Sequence, residues 1–404
     1  MANNKERCLI SCIATERLAS IFDRHDSSTH PARHGPASWR TTDRRDGLRN
    51  SLVASRPVSG AVTTPTMPTA VYRGEHTVVV EEIPIPEVGP SQVLLEISHC
   101  GICGSDLHLM MEDWGPPGMR GGHEFSGVVV AVGPDVAGWA PGDRAVGGPT
   151  PGCGRCSYCR DGRTNLCAER EGGIGIGPAG YARYTTIDAE RLFRIPPDLA
   201  LRTAALVEPV AVALRGVHRG ATRPGERVLV TGAGPIGLLT IAILRAEGVT
   251  DITVSEPGER RRELAARAGA RTVVTPDQLP APAMPTEIAA EPYQLAIECS
   301  GRADAMEAAL ANLDRAGRLV LSGTGMRRPR FDSNRIILQE LTVTGTVEYV
   351  PADYHNAIAL LANGRLAVDE LIEPADVPLD RLQEAMEQLM AGELAGKVLV
   401  APGA

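Results

Sequence analysis

The stretch Arg227-Val-Leu-Val-Thr-Gly-Ala-Gly-Pro-Ile-Gly237 decides the fold of the middle of the chain. It consists of a β-branched apolar run, three glycines in the spacing G-x-G-x-x-G, and the start of an apolar helical pattern that extends to Ala246. Glycines in this spacing permit a tight turn, close approach of a pyrophosphate, and packing of the helix against the strand. The free N–H groups of the helix terminus favour phosphate. The sequence therefore predicts a dinucleotide-binding loop made of Gly232, Gly234, Pro235, Ile236 and Gly237.

Strand and helix patterns alternate after this loop. Strands are predicted at Asp251–Ser255, Leu295–Glu298 and Arg318–Leu321, and helices at Glu259–Ala268 and Ala303–Leu313. Repeated β-α-β units indicate an α/β fold with a doubly wound parallel sheet and helices on both faces. Before residue 200 helical patterns are sparse, and β-branched runs predict strands at Ala70–Val80, Val93–Ile97 and Phe125–Val132.

The second strand of the β-α-β run is followed by Glu256, nineteen residues after Gly237. An acid at about this distance accepts hydrogen bonds from the ribose hydroxyls of a dinucleotide and repels a 2′-phosphate. Glu256 therefore favours NAD over NADP. Arg261, in the run Arg260–Arg262, argues the other way because a guanidinium can bind a 2′-phosphate. The alternative is that this run is a solvated helix face.

The composition is that of a globular protein with room for two domains. Of the 404 residues 43% are apolar, and no apolar run approaches the roughly 18 residues of a membrane span. The net charge of −8 argues against nucleic acid as a partner, because phosphate binding needs a basic surface. Nine cysteines, four of them clustered, are typical of metal binding in a reducing compartment. We therefore expect a cytoplasmic protein with neither nucleic acid nor membrane as a partner.

Residues 1–66 differ from the rest of the chain. They are rich in Arg and Ser and show no sustained helical or strand period. Acidic residues spread between Glu6 and Asp46 argue against a transit peptide, and no apolar stretch resembles a signal peptide. We expect a disordered extension, because this composition buries little apolar surface. The alternative is translation upstream of a true start at Met67.

Four cysteines lie within the fifteen residues from 153 to 167. Zn²⁺ takes four thiolates tetrahedrally in structural sites that leave no position open for chemistry. The alternatives are four unrelated cysteines, which this spacing disfavours, and two disulfides, which a reducing compartment disfavours. The sequence predicts a structural zinc site made of Cys153, Cys156, Cys159 and Cys167.

A second metal site is indicated in the glycine-rich segment between residues 100 and 127. A cysteine lies within Cys100-Gly-Ile-Cys-Gly-Ser-Asp-Leu-His108 and a histidine within Gly121-Gly-His-Glu-Phe-Ser-Gly127. One cysteine, one histidine and one carboxylate, with water in the fourth position, are typical of a catalytic zinc. The alternative is that they are ordinary core or surface residues. The candidate ligands are Cys103, His123 and the carboxylate of Glu124 or Glu208.

In this order the motifs resemble the zinc-dependent medium-chain alcohol dehydrogenase family, and the pair Glu208-Pro209 is similar to its polyol, butanediol and threonine dehydrogenase branch. The resemblance covers about residues 67–404, with weaker matches at Glu298-Cys-Ser-Gly301 and Gly396-Lys-Val-Leu-Val400. The family implies a GroES-like, mostly β catalytic domain built from both chain ends and a Rossmann cofactor domain inserted between them. Here that predicts catalytic parts at 67–210 and 346–404 around a cofactor domain at 211–345.

The resemblance also implies roles for residues near the second metal site. Cys103 and His123 match ligands of a catalytic zinc, and the third ligand stays open between Glu124 and Glu208. Asp106 matches the acid that orients the ligand histidine. Ser105 and His108 match a relay for the alcohol proton, against the alternatives of a turn hydroxyl and a solvated histidine. Trp114 either lines the substrate pocket or packs in the core.

The implied activity is hydride transfer between an alcohol or carbonyl substrate and NAD, with one catalytic and one structural zinc per chain. The Glu-Pro pair favours secondary alcohols, vicinal diols or polyols, and the family implies homodimers or homotetramers. A zinc-free quinone reductase of the same superfamily would carry neither cysteine motif. The other alternative is a catalytically silent sensor that binds NAD and zinc, although a sensor has no need of the Ser105–His108 relay.

Overall fold

The computed structural model describes residues 64–169, 179–280 and 282–404. The predicted extension 1–66 therefore lies outside the described residues, apart from its last three, and Thr66 already belongs to a strand. The described residues from Thr64 to Ala404 form one compact unit. None of the helices in the described ranges is long and apolar enough to cross a membrane.

The described strands and helices are as follows, in chain order. The strands are β1 (Thr66–Gly74), β2 (Thr77–Pro84), β3 (Gln92–Gly101), β4 (Glu124–Val132), β5 (Arg144–Gly147), β6 (Tyr184–Asp188), β7 (Leu192–Arg194), β8 (Arg227–Thr231), β9 (Asp251–Ser255), β10 (Thr272–Val274), β11 (Tyr293–Glu298), β12 (Leu313–Leu321), β13 (Thr342–Gly345), β14 (Val377–Pro378) and β15 (Leu399–Ala401). The helices are α1 (Gly104–Asp106), α2 (Ser157–Arg160), α3 (Leu201–Ala204), α4 (Val207–Gly220), α5 (Pro235–Ala246), α6 (Glu259–Arg267), α7 (Ala303–Ala311), α8 (Ser333–Leu338), α9 (Pro351–Ala362) and α10 (Leu382–Ala391). A π-helical turn, Leu107–Met111, follows α1, and short 3₁₀ turns include Thr164–Leu166.

Strands β8 to β13 form a six-stranded sheet in the order β10-β9-β8-β11-β12-β13, with every pair parallel. Val228, Leu229 and Val230 in β8 are fully buried, as expected for a parallel strand covered on both faces. The predicted doubly wound sheet is confirmed. The four predicted strands correspond to β8, β9, β11 and β12, whereas β10 and β13 were not predicted. Among the predicted elements, α7 stops at Ala311, and β12 begins at Leu313, five residues earlier than predicted.

The second sheet has seven strands and combines β3 to β7 with the C-terminal strands β14 and β15, while β1 and β2 form a separate two-stranded sheet. Its order is β14-β15-β3-β4-β5-β7, with β6 also paired to β3. Gly101 at the end of β3 lies opposite Glu124 of β4 on one side and opposite Leu399 of β15 on the other. This register brings the ends of three strands together, so residues from 101–103, 123–124 and 397–399 share one edge of the sheet.

The predicted strand Ala70–Val80 is two strands, β1 and β2, which pair as an antiparallel hairpin. Between them Glu75 and His76 both adopt positive φ angles, 50° and 59°. Non-glycine residues rarely take this conformation, which is why the β-branched pattern concealed the turn.

Helix α4 connects the two sheets. Its apolar residues, such as Val210 and Leu214, are buried in the largest hydrophobic cluster together with side chains of α5, β8 and α9. Because Glu208 lies in the first turn of α4, this packing holds it in the interior next to the edge described above.

Candidate active site

A cleft of about 660 Å³ separates the nucleotide loop from the segment that follows β3. Cys103, Gly104 and Leu107 line one side, and Gly232, Gly234, Pro235, Glu256 and Arg261 are among the residues that line the other. The fold therefore places the predicted nucleotide loop and the predicted metal ligand Cys103 in a single cavity. Ile236, predicted with the loop, is half-buried and does not belong to the lining of the cleft.

Each glycine of the nucleotide loop has its own steric reason. Gly232 has φ +89°, and a Cβ there would lie 2.8 Å from the Cβ of Ser300. At Gly237 a Cβ would lie 2.0 Å from the carbonyl oxygen of Gly232, so only glycine lets α5 pack this closely. Gly234 caps α5 and has no atom within 4 Å of its Cβ position, which leaves its backbone open to the cleft.

Glu256 is anchored to the loop that it is predicted to serve. It is 4% exposed, and its carboxylate accepts hydrogen bonds from the N–H groups of Ala233 (2.7 Å) and Gly258 (2.8 Å). Each carboxylate oxygen retains a further lone pair for a ligand hydroxyl. Arg261 also lines the cleft, so the two side chains with opposite preferences for a 2′-phosphate are both present in the cavity.

Three of the predicted metal ligands converge. Cys103, His123 and Glu124 each offer one ligand atom, and these atoms lie within 4.8 Å of one another. Nδ1 of His123 and Oε1 of Glu124 are buried without a hydrogen-bond partner. A group of S, N and O donors with unsatisfied buried atoms has the chemistry that Zn²⁺ requires.

The electrostatics of this group also favour a cation. Burial by itself would lower the pKa of His123, yet the charges of Asp106 and Cys103 raise it well above its ordinary value. The one ammonium in the group, Lys397, is 3% exposed, and Glu124 raises its pKa against the effect of desolvation. Acidic groups thus outnumber cations in this interior, and a metal ion would correct the imbalance.

Lys397 forms a buried ion pair with Oε2 of Glu124 and donates a hydrogen bond to the carbonyl oxygen of Ile102 (2.8 Å). Gly101 makes room for this pair, because a Cβ there would lie 2.1 Å from Oε2 of Glu124. The ion pair ties the residues just before β15 to β4, and the hydrogen bond to Ile102 ties them to the segment that carries Cys103.

Asp106 organises the same segment from the other side. Its Oδ2 accepts hydrogen bonds from the N–H group of Cys103 (3.0 Å) and from the hydroxyl of Tyr181 (2.6 Å). Its Oδ1 is 3.7 Å from Nδ1 of His123, which is an ion-pair distance and too long for a hydrogen bond. Asp106 therefore fixes the Cys103 loop directly and acts on His123 through charge.

Glu208 lies near these residues but outside the converging group. It is buried, and desolvation is the main cause that raises its pKa to about 7. Tyr349 is its hydrogen-bond partner. Of the two candidates for the third ligand, Glu124 is the one whose carboxylate meets Cys103 and His123.

The predicted relay residues do not contact each other. Oγ of Ser105 is buried without a hydrogen-bond partner. Nδ1 of His108 is 3.0 Å from Oε2 of Glu112, and its ring stacks on Trp114 with 4.6 Å between the ring centroids. Trp114 is 45% exposed and lies outside the cleft lining, so it supports His108 rather than forming part of the core.

The four predicted cysteines of the second site also come together. The sulfur atoms of Cys153, Cys156, Cys159 and Cys167 lie within 4.8 Å of one another, and all four are free thiols. Backbone N–H groups point at the sulfurs, for example Cys156 to Cys153 (3.3 Å) and Cys159 to Cys156 (3.4 Å). Backbone hydrogen bonds from Ala168 and Cys159 lower the pKa of Cys156 to about 6, which favours the thiolate that binds metal.

Sequence similarity extends over this whole arrangement. Residues 89–197 match the alcohol dehydrogenase GroES-like domain, and residues 235–363 match the zinc-binding dehydrogenase domain. The L-threonine 3-dehydrogenase of Pyrococcus furiosus is 34% identical over 335 residues, which are 80% of this chain and 95% of that relative. The chain belongs to the zinc-dependent medium-chain alcohol dehydrogenase family.

Two further relatives agree with this assignment. A probable D-xylulose reductase A of Aspergillus clavatus is 32% identical over 346 residues, 82% of this chain and 96% of the relative. The crystal structure of a putative zinc-binding dehydrogenase from Sinorhizobium meliloti bound to NADP superposes with a TM-score of 0.75 at 31% identity, over 84% of this chain and 100% of that chain. The predicted GroES-like and Rossmann architecture and the predicted class, an oxidoreductase that acts on CH–OH groups, are confirmed for this dehydrogenase.

Sequence reasoning assigned no role to Lys397, Tyr181 or Tyr349. Lys397 lies in Gly396-Lys-Val-Leu-Val400, where a single charge within an apolar run was the available signal. Tyr181 and Tyr349 carry no motif, and only the fold brings their hydroxyls to Asp106 and Glu208.

Proposed function

We propose that this dehydrogenase oxidises a secondary hydroxyl group of a polyol, vicinal diol or similar alcohol, with NAD as the hydride acceptor and a zinc ion held by Cys103, His123 and Glu124. The observation that carries the proposal is that these three donors converge and that one of them, Cys103, lines the same cleft as the nucleotide loop. Zinc in such a site is a Lewis acid that lowers the pKa of a bound alcohol, and NAD supplies the hydride acceptor.

Residues around the proposed zinc ligands compensate charge, hold the ligands in position and offer a proton acceptor. Lys397 compensates the charge of Glu124, so that the carboxylate is tolerated in a buried position while Oε1 stays unpaired. Asp106 holds the backbone of Cys103 and places negative charge near His123. Oγ of Ser105 has no competing partner within the described chain, which suits a group that accepts the proton of the substrate hydroxyl.

His108 is the proposed next member of the proton relay. Glu112 holds its Nδ1, so that Nε2 is left as the nitrogen that exchanges a proton. The stacked ring of Trp114 restricts rotation of the imidazole. The relay that the family resemblance implies passes from Ser105 through the ribose of the bound cofactor to His108, and neither side chain is among the lining residues of the cleft in this structure.

NAD is proposed over NADP on the strength of Glu256. Its buried carboxylate faces the cleft and is held by two backbone N–H groups, so it cannot turn away from a 2′-phosphate without losing both bonds. Arg261 is the residue that would favour NADP, the cofactor bound by the Sinorhizobium meliloti relative.

The proposed substrate class rests on the relatives. Their named substrates, threonine and xylulose, carry a secondary hydroxyl or its carbonyl counterpart next to a second polar group. The proposal includes a structural zinc held by the four cysteines, a cytoplasmic location and a homodimeric or homotetrameric state.

The experiment is a substrate panel with the full chain purified in zinc. NADH absorbance is followed with NAD⁺ and primary alcohols, secondary alcohols, vicinal diols, polyols and threonine, and the set is repeated with NADP⁺. We expect turnover with NAD⁺ and with one secondary-alcohol class, and none in a matched Cys103→Ala variant. Turnover restricted to NADP⁺ or to primary alcohols would contradict the proposal, and no turnover by a protein with full zinc would favour the silent sensor.

A further inference from the structure

Two neighbouring arginines after Glu256 point to different parts of the molecule. Arg261 lines the cofactor cleft, whereas Arg260 lies outside the lining of that cleft. Arg260 reaches the C-terminal part of the chain instead. Its Nη2 donates to Oε2 of Glu373 (2.7 Å), and its Nη1 donates to the carbonyl oxygen of Glu393 (3.1 Å). Arg260 therefore joins the first turn of α6 to residues that do not belong to the cofactor site.

The carboxylate of Glu373 is almost fully buried and is completely used. Its side chain is 9% exposed, and its Oε1 accepts hydrogen bonds from the N–H groups of Ala395 (2.9 Å) and Gly396 (2.8 Å). Burial by itself would raise the pKa of Glu373, but these two N–H groups and Arg260 lower it below its ordinary value. A Cβ at Gly396 would lie 2.8 Å from the carbonyl oxygen of Leu371, so glycine is needed for this close approach.

The same segment holds the backbone of Lys397. The N–H group of Lys397 donates to the carbonyl oxygen of Leu371 (2.7 Å), and its carbonyl oxygen accepts from the N–H group of Glu373 (2.9 Å). Four backbone groups of residues 395–397 are thus held directly before β15. A buried ammonium is tolerated only where it meets its partners, and the partner here is the carboxylate of Glu124. The anchored backbone therefore determines where the ammonium of Lys397 meets Glu124.

An arginine of α3 fixes the Glu373 segment from the other side. Nη2 of Arg202 donates to the carbonyl oxygen of Glu373 (2.8 Å), and its Nε donates to Oδ1 of Asp376 (2.8 Å). These bonds hold the backbone of the segment, whereas the bond from Arg260 holds the carboxylate of Glu373. Loss of Arg260 would therefore release the carboxylate and leave the segment in place.

We propose that Glu373 is a positioning residue of the hydride-transfer site and that Arg260 sets the orientation of its carboxylate. Glu373 acts through Lys397, which holds Glu124, one of the three proposed zinc ligands. The inference rests on that proposed zinc site and adds that the arrangement of its ligands depends on an ion pair outside the cleft. It also assigns Arg260 a role other than recognition of a 2′-phosphate.

The test uses the full chain loaded with Co²⁺ in place of zinc, because the visible absorption of Co²⁺ depends on the number and arrangement of its ligands. The four-cysteine group also binds metal, so the difference between each protein and its Cys103→Ala counterpart isolates the Cys103 group. We expect Glu373→Gln and Arg260→Met to shift these bands in the same direction. Glutamine still accepts the N–H bonds but cannot form the ion pair. Arg260→Lys keeps the charge and should restore the bands at least in part.

The matched control is Arg267→Met, which removes the same charge from an exposed position at the end of α6 and should leave the bands unchanged. The Kd of NADH, measured by fluorescence, should change less than twofold in Arg260→Met, because Arg260 does not line the cleft. Weaker binding of NADH or NADPH together with unchanged bands would make Arg260 a cofactor residue and overturn the proposal. A lower Tm with unchanged bands would show a structural role only.

The remaining outcomes separate this inference from the proposed zinc site. Absence of bands that depend on Cys103 in the otherwise unaltered chain would contradict the zinc site, and the inference would fall with it. Bands that are present but the same in Glu373→Gln and Arg260→Met would overturn the inference alone. Should Glu373→Gln fail to fold, Arg260→Met decides the question, since the side chain of Arg260 is 53% exposed.

Discussion

At the scale of single residues, we expect Lys397 to have a large effect on stability that no sequence motif predicted. It is the only ammonium described among Asp106, Glu124 and Glu208, and it is almost fully buried. Desolvating two opposite charges is tolerated only while they remain paired, so the loss of one leaves the other at high cost.

We predict that Lys397→Met lowers the free energy of unfolding by about 3–5 kcal/mol, because it leaves Glu124 buried without its counter-charge. Urea unfolding of the full chain measures this. Lys397→Arg is the matched control and should retain most of the stability, since it restores the charge. A Lys397→Met protein as stable as the wild type would show that Glu124 is not held as an ion by Lys397.

Sequence reasoning succeeded at this scale where the chemistry lies in local spacing. Cys103, His123 and the four cysteines of residues 153–167 were readable because ligands and glycines stand close together along the chain. The role of Lys397 could not be predicted, because its hydrogen-bond partner Ile102 is 295 residues away along the chain. The choice between Glu124 and Glu208 likewise depended on a strand register that no local pattern encodes.

At the scale of elements, the junction of β8 and α5 determines how the cofactor cleft is shaped. Gly237 and Gly234 are three residues apart, yet their Cβ positions meet opposite surroundings. The Cβ position of Gly237 lies 2.0 Å from the carbonyl oxygen of Gly232, whereas the Cβ position of Gly234 faces open space.

We predict that Gly237→Ala and Gly234→Ala separate stability from cofactor binding. Gly237→Ala should lower the Tm and abolish NADH binding, because the added methyl pushes α5 away from the loop. Gly234→Ala should keep the Tm of the wild type and weaken NADH binding, because its methyl enters the space near the phosphates. Thermal unfolding and NADH fluorescence titration measure both. Equal effects of the two substitutions on the Tm would contradict this account of the loop.

A cluster of one histidine and two carboxylates, His218, Glu247 and Asp353, joins α4 to the end of α5 and to α9. Nδ1 of His218 is 3.2 Å from Asp353, and its Nε2 is 3.6 Å from Glu247. The hydrogen bond to Asp353 and the negative charge of Glu247 raise the pKa of His218 to about 9. Burial by itself would raise the pKa of Asp353, but hydrogen bonds from His218 and from the N–H group of Val350, together with the charge of Arg215, lower it, so that Asp353 remains charged.

Stability should therefore depend on pH in a defined direction. A raised histidine pKa contributes stability fully below the unfolded value, near 6.5, and loses it as the pH rises through about 9. We predict that His218→Asn lowers the free energy of unfolding at pH 6 and has little effect at pH 10. Urea unfolding of both proteins at the two pH values measures the difference. A constant difference would mean that His218 stays neutral throughout.

Local patterns predicted four of the six strands of the parallel sheet, because each of these is a β-branched apolar run, but β10 and β13, which are only three and four residues long, were missed. The hairpin of β1 and β2 was missed because its turn uses Glu75 and His76 at positive φ instead of glycine or asparagine. The π-helical turn Leu107–Met111 had no sequence signal either, although it carries His108.

At the scale of the whole molecule, the fold forms two separate groups of residues that could hold a metal ion, and the two groups differ in their access to a substrate. The four cysteines form a closed set with no position for a substrate. Cys103, His123 and Glu124 provide three donors beside a cleft that reaches the nucleotide loop. The family resemblance predicted this division. The domain boundaries at 210 and 345 stay a prediction, although β14 and β15 do lie in the same sheet as β3.

The central claim is that the group at Cys103 holds the zinc ion required for hydride transfer, while the four-cysteine group holds a second one that stabilises the fold. Elemental analysis of zinc per chain in the full protein and in its Cys103→Ala and Cys159→Ala variants, with turnover and Tm measured on the same samples, tests this most directly. We predict two zinc ions in the wild type and one in each variant. Cys103→Ala should keep its Tm and lose activity, whereas Cys159→Ala should lose several degrees in Tm. Two zinc ions in Cys103→Ala, or wild-type turnover by that variant, would contradict the claim.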